Sequence, residues 1–113
     1  MPYIHVQTNA AVSKEQADAI KAACGQAITL VPGKSEAWLM VGVEGGCTLY
    51  FKGTDAPAAM VAVELLGNAD SAVLSRMTGA LCQALSDTLS LPPDRVYVRY
   101  LSTADWGWNG SNF

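Results

Sequence analysis

The sequence has little of what metal sites and disulfide scaffolds require. It contains one histidine, His5, and three cysteines, Cys24, Cys47 and Cys82, none of which form a CxxC pair. A structural zinc site needs four closely spaced nitrogen or sulfur ligands, so the sequence predicts no metal centre. An odd number of scattered cysteines also argues against a disulfide framework and favours a reducing compartment.

Charge and long apolar runs are also scarce. Only 15% of the residues are charged and the net charge is −3, which argues against a general nucleic-acid or anionic-membrane binder. No stretch approaches the roughly 20 apolar residues of a membrane span. Because no basic segment precedes an apolar core at the N-terminus, we expect no secretory signal. The expected location is the cytoplasm, with non-classical export as the alternative.

Apolar residues, in contrast, make up half of the 113-residue chain. This length predicts a single domain over residues 1–113. A chain this short normally buries less than about 70% of the surface that its unfolded form exposes. We therefore expect some of the apolar surface to be buried against other copies of the chain.

The first half of the chain has the pattern of strand, helix and strand. Residues 2–9 alternate as in a strand. Ser13 and Gln16 have the spacing of a capping box, and apolar residues then recur at helical spacing until a Pro-Gly pair. The segment AWLMVGVEGG at 37–46 predicts a short apolar strand, and TLYFKG at 48–53 predicts its antiparallel partner.

The second half repeats this order. AMVAVELL at 59–66 predicts a strand buried on both faces, because nearly every residue is apolar. An apolar stripe at helical spacing begins near Asp70-Ser71 and is stopped by two prolines. RVYVRYL at 95–101 is an alternating strand, and residues 105–113 form an aromatic tail.

The two halves predict two βαβ units, at about 2–44 and 59–101. In each unit the second strand is expected 35 residues after the first. Because βαβ crossovers are right-handed, two equal units imply a pseudo-twofold, four-stranded mixed sheet with both helices on one face. The fold class is α/β (α+β). The sheet's other face is left bare, which favours an oligomer.

Several polar and aromatic residues are candidates for a site, each with a structural alternative. Lys34 follows the helix stop, where a cation also interacts favourably with the helix dipole. Tyr97 and Arg99 share one strand face, which is equally consistent with a solvated sheet surface. Trp38 and Trp108 are large aromatic residues, which are equally typical of a pocket wall and of a core or an interface. The residues alone leave both interpretations open.

Taken together, the motifs resemble one family. Met-Pro at the start, Gly33-Lys34, LLG at 65–67, PDRVYVRY at 93–100 and WGWNGSNF at 106–113 resemble the macrophage migration inhibitory factor family of the tautomerase superfamily. The resemblance covers the whole chain. It implies a homotrimer of two-βαβ subunits, with pockets between adjacent subunits and no metal or organic cofactor.

The resemblance also implies a role for individual residues. Pro2, exposed by removal of Met1, is the implied catalytic base, and Lys34 is the implied ligand of the substrate carboxylate or carbonyl. Leu66 matches a position whose backbone contacts the ligand, and Tyr97 matches a tyrosine from the neighbouring subunit. The implied aromatic lining consists of Trp38, Trp108 and Phe113.

Arg99 departs from the family pattern, because the best-known mammalian member has asparagine there. A cation at this position is expected to favour a substrate with a distal acidic or polar group. The resemblance implies a tautomerase for phenylpyruvate-like 2-oxo acids, with dopachrome-type compounds as artificial substrates. Two alternatives stay open: a cytokine-like ligand for a receptor, and hydration or decarboxylation of a small acid through Pro2.

Overall fold

The computed structural model describes all residues from 1 to 113. Six strands and two α-helices follow one another as β1 (Pro2–Thr8), α1 (Lys14–Ala27), β2 (Met40–Glu44), β3 (Ala59–Leu66), α2 (Ser71–Leu89), β4 (Val96–Thr103), β5 (Gly107–Trp108) and β6 (Ser111–Asn112). Three short 3-10 helices lie between them, at Ile28–Leu30, Glu36–Trp38 and Pro93–Arg95.

The main sheet has the strand order β2-β1-β3-β4. β1 pairs in parallel with β2, β3 pairs in parallel with β4, and the two inner strands β1 and β3 are antiparallel. β2 starts at residue 40 and β4 at 96, which are 38 and 37 residues after the starts of β1 and β3. The predicted α/β (α+β) class, with two helices on one face of a four-stranded mixed sheet, is confirmed.

Helix α1 begins with the predicted capping box. The Ser13 hydroxyl accepts a hydrogen bond from the Gln16 amide nitrogen (3.1 Å), and the Gln16 side chain accepts one from the Ser13 nitrogen (2.9 Å). This exchange satisfies two amide donors that the first turn leaves free. The α-helix ends at Ala27, earlier than the predicted Pro-Gly stop, and the chain tightens into a 3-10 turn over Ile28–Leu30.

Helix α2 begins after Asp70, as predicted, and ends at Leu89, and the capping residue that follows, Ser90, has a left-handed conformation (φ 57°). The Ser90 amide nitrogen donates to the Ser86 carbonyl, and the Leu91 nitrogen reaches back to Leu85. These bonds close the last turn in the manner of a left-handed helix cap. Neither this helix nor α1 combines the length and apolar content that crossing a membrane requires.

One apolar core fills the space between the sheet and the helices. β1 and β3 each bury every second residue on this side, and the helices contribute an apolar stripe that includes Ile20 and Leu81. The most deeply buried side chains are Ile4, Val6, Ile20, Ile28, Val61, Val63, Leu65, Met77, Leu85 and Leu91. This core fixes the head of β1, where the candidate site lies.

The prediction that β3 is buried on both faces is wrong for the single chain. Its burial alternates along Ala59–Leu66, so only one face contacts the helices. Met60, Ala62 and Glu64 lie on the open face, where register also places Tyr97 and Arg99 of β4. The sequence does not show this alternation, because two of the residues on the open face, Met60 and Ala62, are themselves apolar.

The predicted strand at 48–53 is also wrong, because this segment forms a loop with a single bridge between Phe51 and Thr54. Two distant side chains, rather than a neighbouring strand, bind carbonyl groups of this segment and of the residues just after it. The Asn9 amide donates to three carbonyl oxygens between residues 49 and 56, at 3.0–3.1 Å. The Arg95 guanidinium donates to Phe51 (2.7 Å) and Ala56 (2.8 Å). Backbone acceptors satisfied in this way need no strand partner.

The predicted strand at 37–46 is shorter than expected. Trp38 lies in the 3-10 helix Glu36–Trp38, and β2 starts only at Met40. Parallel pairing with β1 begins at Met40, opposite Tyr3. The residues before it form a connection from residue 28 to residue 39, which we call the first connection. The equivalent stretch between α2 and β4, residues 90–95, is the second connection.

Candidate functional site

An open cleft of about 510 Å³ lies where β1 begins. It is bordered by the N-terminus, the end of the first connection, the start of β2 and the C-terminal hairpin. Its lining residues are Met1, Pro2, Tyr3, Ala37, Trp38, Leu39, Met40, Glu64, Trp106, Gly107 and Trp108. Most are apolar, as in many small-molecule sites.

Pro2 lines this cleft, and Lys34 and Leu66 lie next to it at the head of β1, although neither is a lining residue. Pro2 is buried and pairs with Leu65 of the neighbouring strand β3. The Lys34 ammonium donates a hydrogen bond to the Leu66 carbonyl oxygen (2.7 Å), and the Leu66 amide nitrogen donates to the Met1 carbonyl oxygen (3.0 Å). The backbone of Leu66 therefore links the head of β1 to the cation of the first connection.

The surroundings of this site favour a neutral amine. Burial and the positive charge of Lys34 lower the pKa of the Met1 amino group below its usual value. Both effects disfavour an ammonium ion, because burial removes water and Lys34 repels a second cation. Any amino group placed at the head of β1 beside Lys34 is subject to the same two effects.

Aromatic rings form one wall of the cleft. Trp38 packs edge-on against Trp108, with ring centroids 5.1 Å apart, and Trp108 stacks on Phe113 at 6.0 Å. The C-terminal hairpin of β5 and β6 turns through Asn109 (φ 53°) and Gly110 (φ 91°), both left-handed. This turn folds the tail back so that its rings face the first connection.

The structure does not bring Tyr97 and Arg99 to the cleft of the same chain. Both lie on the open sheet face, and Tyr97 packs against Phe51 with ring centroids 4.5 Å apart. Leu101, paired with the cleft residue Glu64, is four residues farther along β4 than Tyr97. At roughly 3.3 Å per residue, that places Tyr97 about 13 Å from this end of the sheet. Their proposed contact with substrate requires another subunit.

Eight of the eleven lining residues were not predicted as site residues: Met1, Tyr3, Ala37, Leu39, Met40, Glu64, Trp106 and Gly107. Glu64 is the only carboxylate among all the residues that line the cleft. Strand alternation on β3 is the signal that would have found it, since Glu64 lies two residues from Leu66 and shares its face. Met40 carries no comparable sequence signal, because tertiary packing brings it to the cleft, whereas Trp106 opens the WGWNGSNF motif at 106–113.

The cleft offers a base site, a cation and an amide donor, but no thiol. None of the three cysteines lines it. Burial raises the pKa of the Cys24 thiol to about 11, so this residue is protonated near neutral pH. The arrangement suits proton transfer at a small anionic substrate, because Lys34 and the Leu66 amide can stabilise negative charge on oxygen.

Comparisons with known proteins agree with this geometry. The family description "Macrophage migration inhibitory factor (MIF)" matches residues 1–113. The macrophage migration inhibitory factor of Mus musculus is 34% identical over 90 residues, which cover 78% of each chain. The protein of the same name from Meriones unguiculatus is 30% identical and covers 100% of this chain and 99% of its own.

Solved structures give the same result. The crystal structure of Leishmania major MIF2 has a TM-score of 0.93 and 31% identity, covering 100% of this chain and 97% of that one. A homologue from Prochlorococcus marinus has a TM-score of 0.90 and 25% identity, with 98% of each chain covered. These relatives lie within the tautomerase superfamily, whose members are generally isomerases and typically oligomeric, and which also includes cytokine-like proteins. The chain therefore belongs to the macrophage migration inhibitory factor family.

Proposed function

We propose that this chain is a keto–enol tautomerase for phenylpyruvate-like 2-oxo acids, with dopachrome-type compounds as artificial substrates. The general base is the secondary amine of Pro2 once Met1 has been removed. The observation that carries the proposal is the position of Pro2 at the head of a central strand, beside Lys34 and the Leu66 backbone. No metal or organic cofactor takes part in it.

Removal of Met1 would change two groups at once. The Pro2 nitrogen would become a free amine, and the Leu66 amide would lose the Met1 carbonyl that now accepts its hydrogen bond. The Met1 carbonyl oxygen thus stands in for a substrate oxygen. A carboxylate or carbonyl oxygen in its place would accept from Leu66 and lie near the Lys34 ammonium.

The base must be neutral near pH 7 to accept a proton. Burial and Lys34 lower the pKa of the amino group now present at this end of the chain, and the same surroundings would act on Pro2. Without them a proline amine is too basic, because even an ordinary α-amino group titrates at about 7.7–8.0. Lys34 therefore has two roles: it lowers the pKa of the base, and it binds the substrate oxygen.

The reaction needs only proton transfers. The Pro2 nitrogen takes a proton from the carbon beside the carbonyl, and the C–H electron pair becomes the C=C bond of the enol. The carbonyl oxygen gains a proton from water, and Pro2 later releases its own to solvent. Lys34 stabilises the negative charge that develops on the substrate oxygens, while Trp38, Trp108 and Phe113 pack against an aryl ring.

The decisive experiment is a Pro2→Gly variant assayed with phenylpyruvate, after intact mass has shown that Met1 is absent. We expect kcat/KM to fall by about 100-fold or more, as general-base catalysis is worth. Pro57→Ala, in the exposed loop before β3, is the matched control and should keep full activity. Undiminished turnover by Pro2→Gly would rule out the mechanism.

We further propose a homotrimer in which Tyr97 and Arg99 of one subunit complete the cleft of the next. The open sheet face and the 61% exposure of the Tyr97 side chain support this proposal. Co-refolding inactive Pro2→Gly and Tyr97→Ala chains should restore activity, because mixed pockets regain both residues. Lack of recovery, or a monomer in native mass spectrometry, would contradict it.

A second candidate function is that of a cytokine-like ligand. It is favoured by the animal relatives named macrophage migration inhibitory factor. In this case the protein leaves the cytoplasm by a non-classical route and binds a receptor, with catalysis secondary. A receptor-dependent cell response that survives in the Pro2→Gly variant would support it, and loss of the response would tie signalling to the catalytic site.

A further inference from the structure

Gly25 is buried in the last turn of α1, before the chain continues into the 3-10 turn. Glycine within a helix is less favourable than alanine, so its presence there calls for a cause. The Glu36 side chain of the first connection covers it. A Cβ atom at position 25 would lie 2.0 Å from Glu36 Oε2 and 2.5 Å from its Cδ. The glycine thus leaves room for a carboxylate against the helix backbone.

Gly79 in α2 provides the contrast. It is exposed, and a Cβ atom there would meet nothing within 4 Å. Each glycine lies within one of the two helices that pack on the sheet. Only at Gly25 does a side chain from another segment occupy the space where a Cβ atom would lie. Gly79 is therefore a matched control for the effect of glycine on helix stability.

Glu36 lies between Lys34, whose side chain bonds to the Leu66 carbonyl at the head of β1, and Trp38, which lines the cleft. Lys34 precedes it by two residues and Trp38 follows it by two. The backbone hydrogen bonds of this stretch are local: Lys34 bonds to Val31, Trp38 to Ser35 and Leu39 to Glu36. None of these backbone bonds reaches another element, so side chains attach the connection, among them the buried Val31 and the Lys34 ammonium on the Leu66 carbonyl.

The Glu36 side chain supplies such an attachment. Besides covering Gly25, its Oε2 lies 3.5 Å from the Lys21 ammonium of α1. Both partners are more than half exposed, and an exposed ion pair contributes little by itself. The close fit of the carboxylate over Gly25 is therefore the more important part of the contact.

We infer that Gly25 and Glu36 form a seat that sets the position of Lys34 and Trp38 in the cleft. They are positioning residues and do not touch substrate. This inference rests on the proposed tautomerase function. The inference has a specific chemical consequence. A displaced Lys34 should weaken binding of the substrate carboxylate more than it slows proton abstraction.

The test compares Gly25→Ala with Gly79→Ala on phenylpyruvate and on its methyl ester. Gly25→Ala should raise KM and lower kcat/KM for the acid by roughly tenfold, since small misplacements of positioned groups are costly. The ester lacks the carboxylate and should change by less than about twofold. Gly79→Ala should leave both substrates unchanged while raising the melting temperature.

Variants of Glu36 separate fit from charge. Glu36→Ala should reproduce the loss of Gly25→Ala, and the double variant should lose no more than either single one, because both empty the same seat. Glu36→Gln keeps the shape and should retain activity within about twofold. The inference would be overturned if the losses of kcat/KM in the two single variants multiplied in the double variant. It would also be overturned if Gly25→Ala lost equally on the acid and the ester, or left KM for the acid unchanged. An inactive wild type would instead refute the proposed function.

Discussion

The two βαβ units traverse nearly the same number of residues but divide them differently. In the first unit α1 has 14 residues and is followed by a connection from 28 to 39. In the second unit α2 has 19 residues and the connection, 90–95, is half as long. The first connection is longer because α1 is shorter, and it contains Lys34, Glu36 and Trp38. One framework therefore carries candidate site residues in the connection of one unit, and buried, capping and loop-binding residues in that of the other.

The second connection is built for stability. Leu91 is fully buried, Ser90 caps α2, and Arg95 binds carbonyl groups of the loop before β3. None of these residues lines the cleft. Substitutions in the second connection should therefore change the free energy of unfolding, whereas those in the first should change catalysis.

The largest expected effect is that of Leu91→Ala. Emptying a fully buried leucine site should lower the free energy of unfolding by about 2–5 kcal/mol. Urea denaturation followed by circular dichroism measures it. The folded fraction should keep its kcat for phenylpyruvate, and a lower kcat per folded molecule would show that the second connection also serves the cleft.

Lys34→Met is the converse change. Loss of a positioned charge at a developing oxyanion should lower kcat/KM for phenylpyruvate by about 100- to 1,000-fold. The unfolding midpoint should shift little, because the Lys34 side chain donates one hydrogen bond to the protein, to the Leu66 carbonyl. Lys14→Met, at an exposed cation of α1, is the control. A large loss of stability with unchanged activity would contradict the division between the two connections.

The pH profile of Lys34→Met has a defined direction. Burial and the Lys34 charge lower the pKa of the terminal amino group, so removal of the charge raises that pKa. The base must be neutral to act, and the acidic limb of kcat/KM should therefore move to higher pH. A limb that stays in place, or moves to lower pH, would show that Lys34 does not act on the base.

Arg95→Lys tests the loop before β3. A lysine has the charge but cannot reach several carbonyl groups at once, so we expect a loss of about 1–2 kcal/mol of stability. Limited proteolysis should show faster cleavage within residues 48–57. Unchanged proteolysis would mean that Asn9 alone holds the loop.

The smallest expected effect is stabilising. Ser90 adopts a left-handed conformation at φ 57°, which favours glycine over residues that have a Cβ atom. Ser90→Gly should raise the free energy of unfolding by about 0.5–1 kcal/mol. Thermal denaturation measures it, and a lower melting temperature would show that the serine side chain has a stabilising contact there.

The framework was predictable where local chemistry decides it. Residues close together in sequence determine the alternation on β1 and β4, the capping box at Ser13 and the start of α2. All of these predictions are confirmed. The loop at 48–53 was not, because its strand-like residues are held by Asn9 and Arg95, which are some 40 residues away in sequence.

The candidate site divides in the same way. The resemblance indicated Pro2, Lys34, Leu66 and Trp38, which the structure brings to one end of the sheet. It gave no indication of Glu64, whose place in the cleft follows from the register of β3. The fit of Glu36 over Gly25 joins two segments 11 residues apart and depends on how α1 turns, which no local pattern reports.

The aromatic wall has a practical consequence. The chain has three tryptophans, and Trp38, Trp106 and Trp108 all line the cleft. Its tryptophan fluorescence therefore comes entirely from residues that line the cleft. A ligand that enters between the indoles should change the emission without any label, so titration of the unmodified protein can rank small acids by affinity before a single turnover is measured.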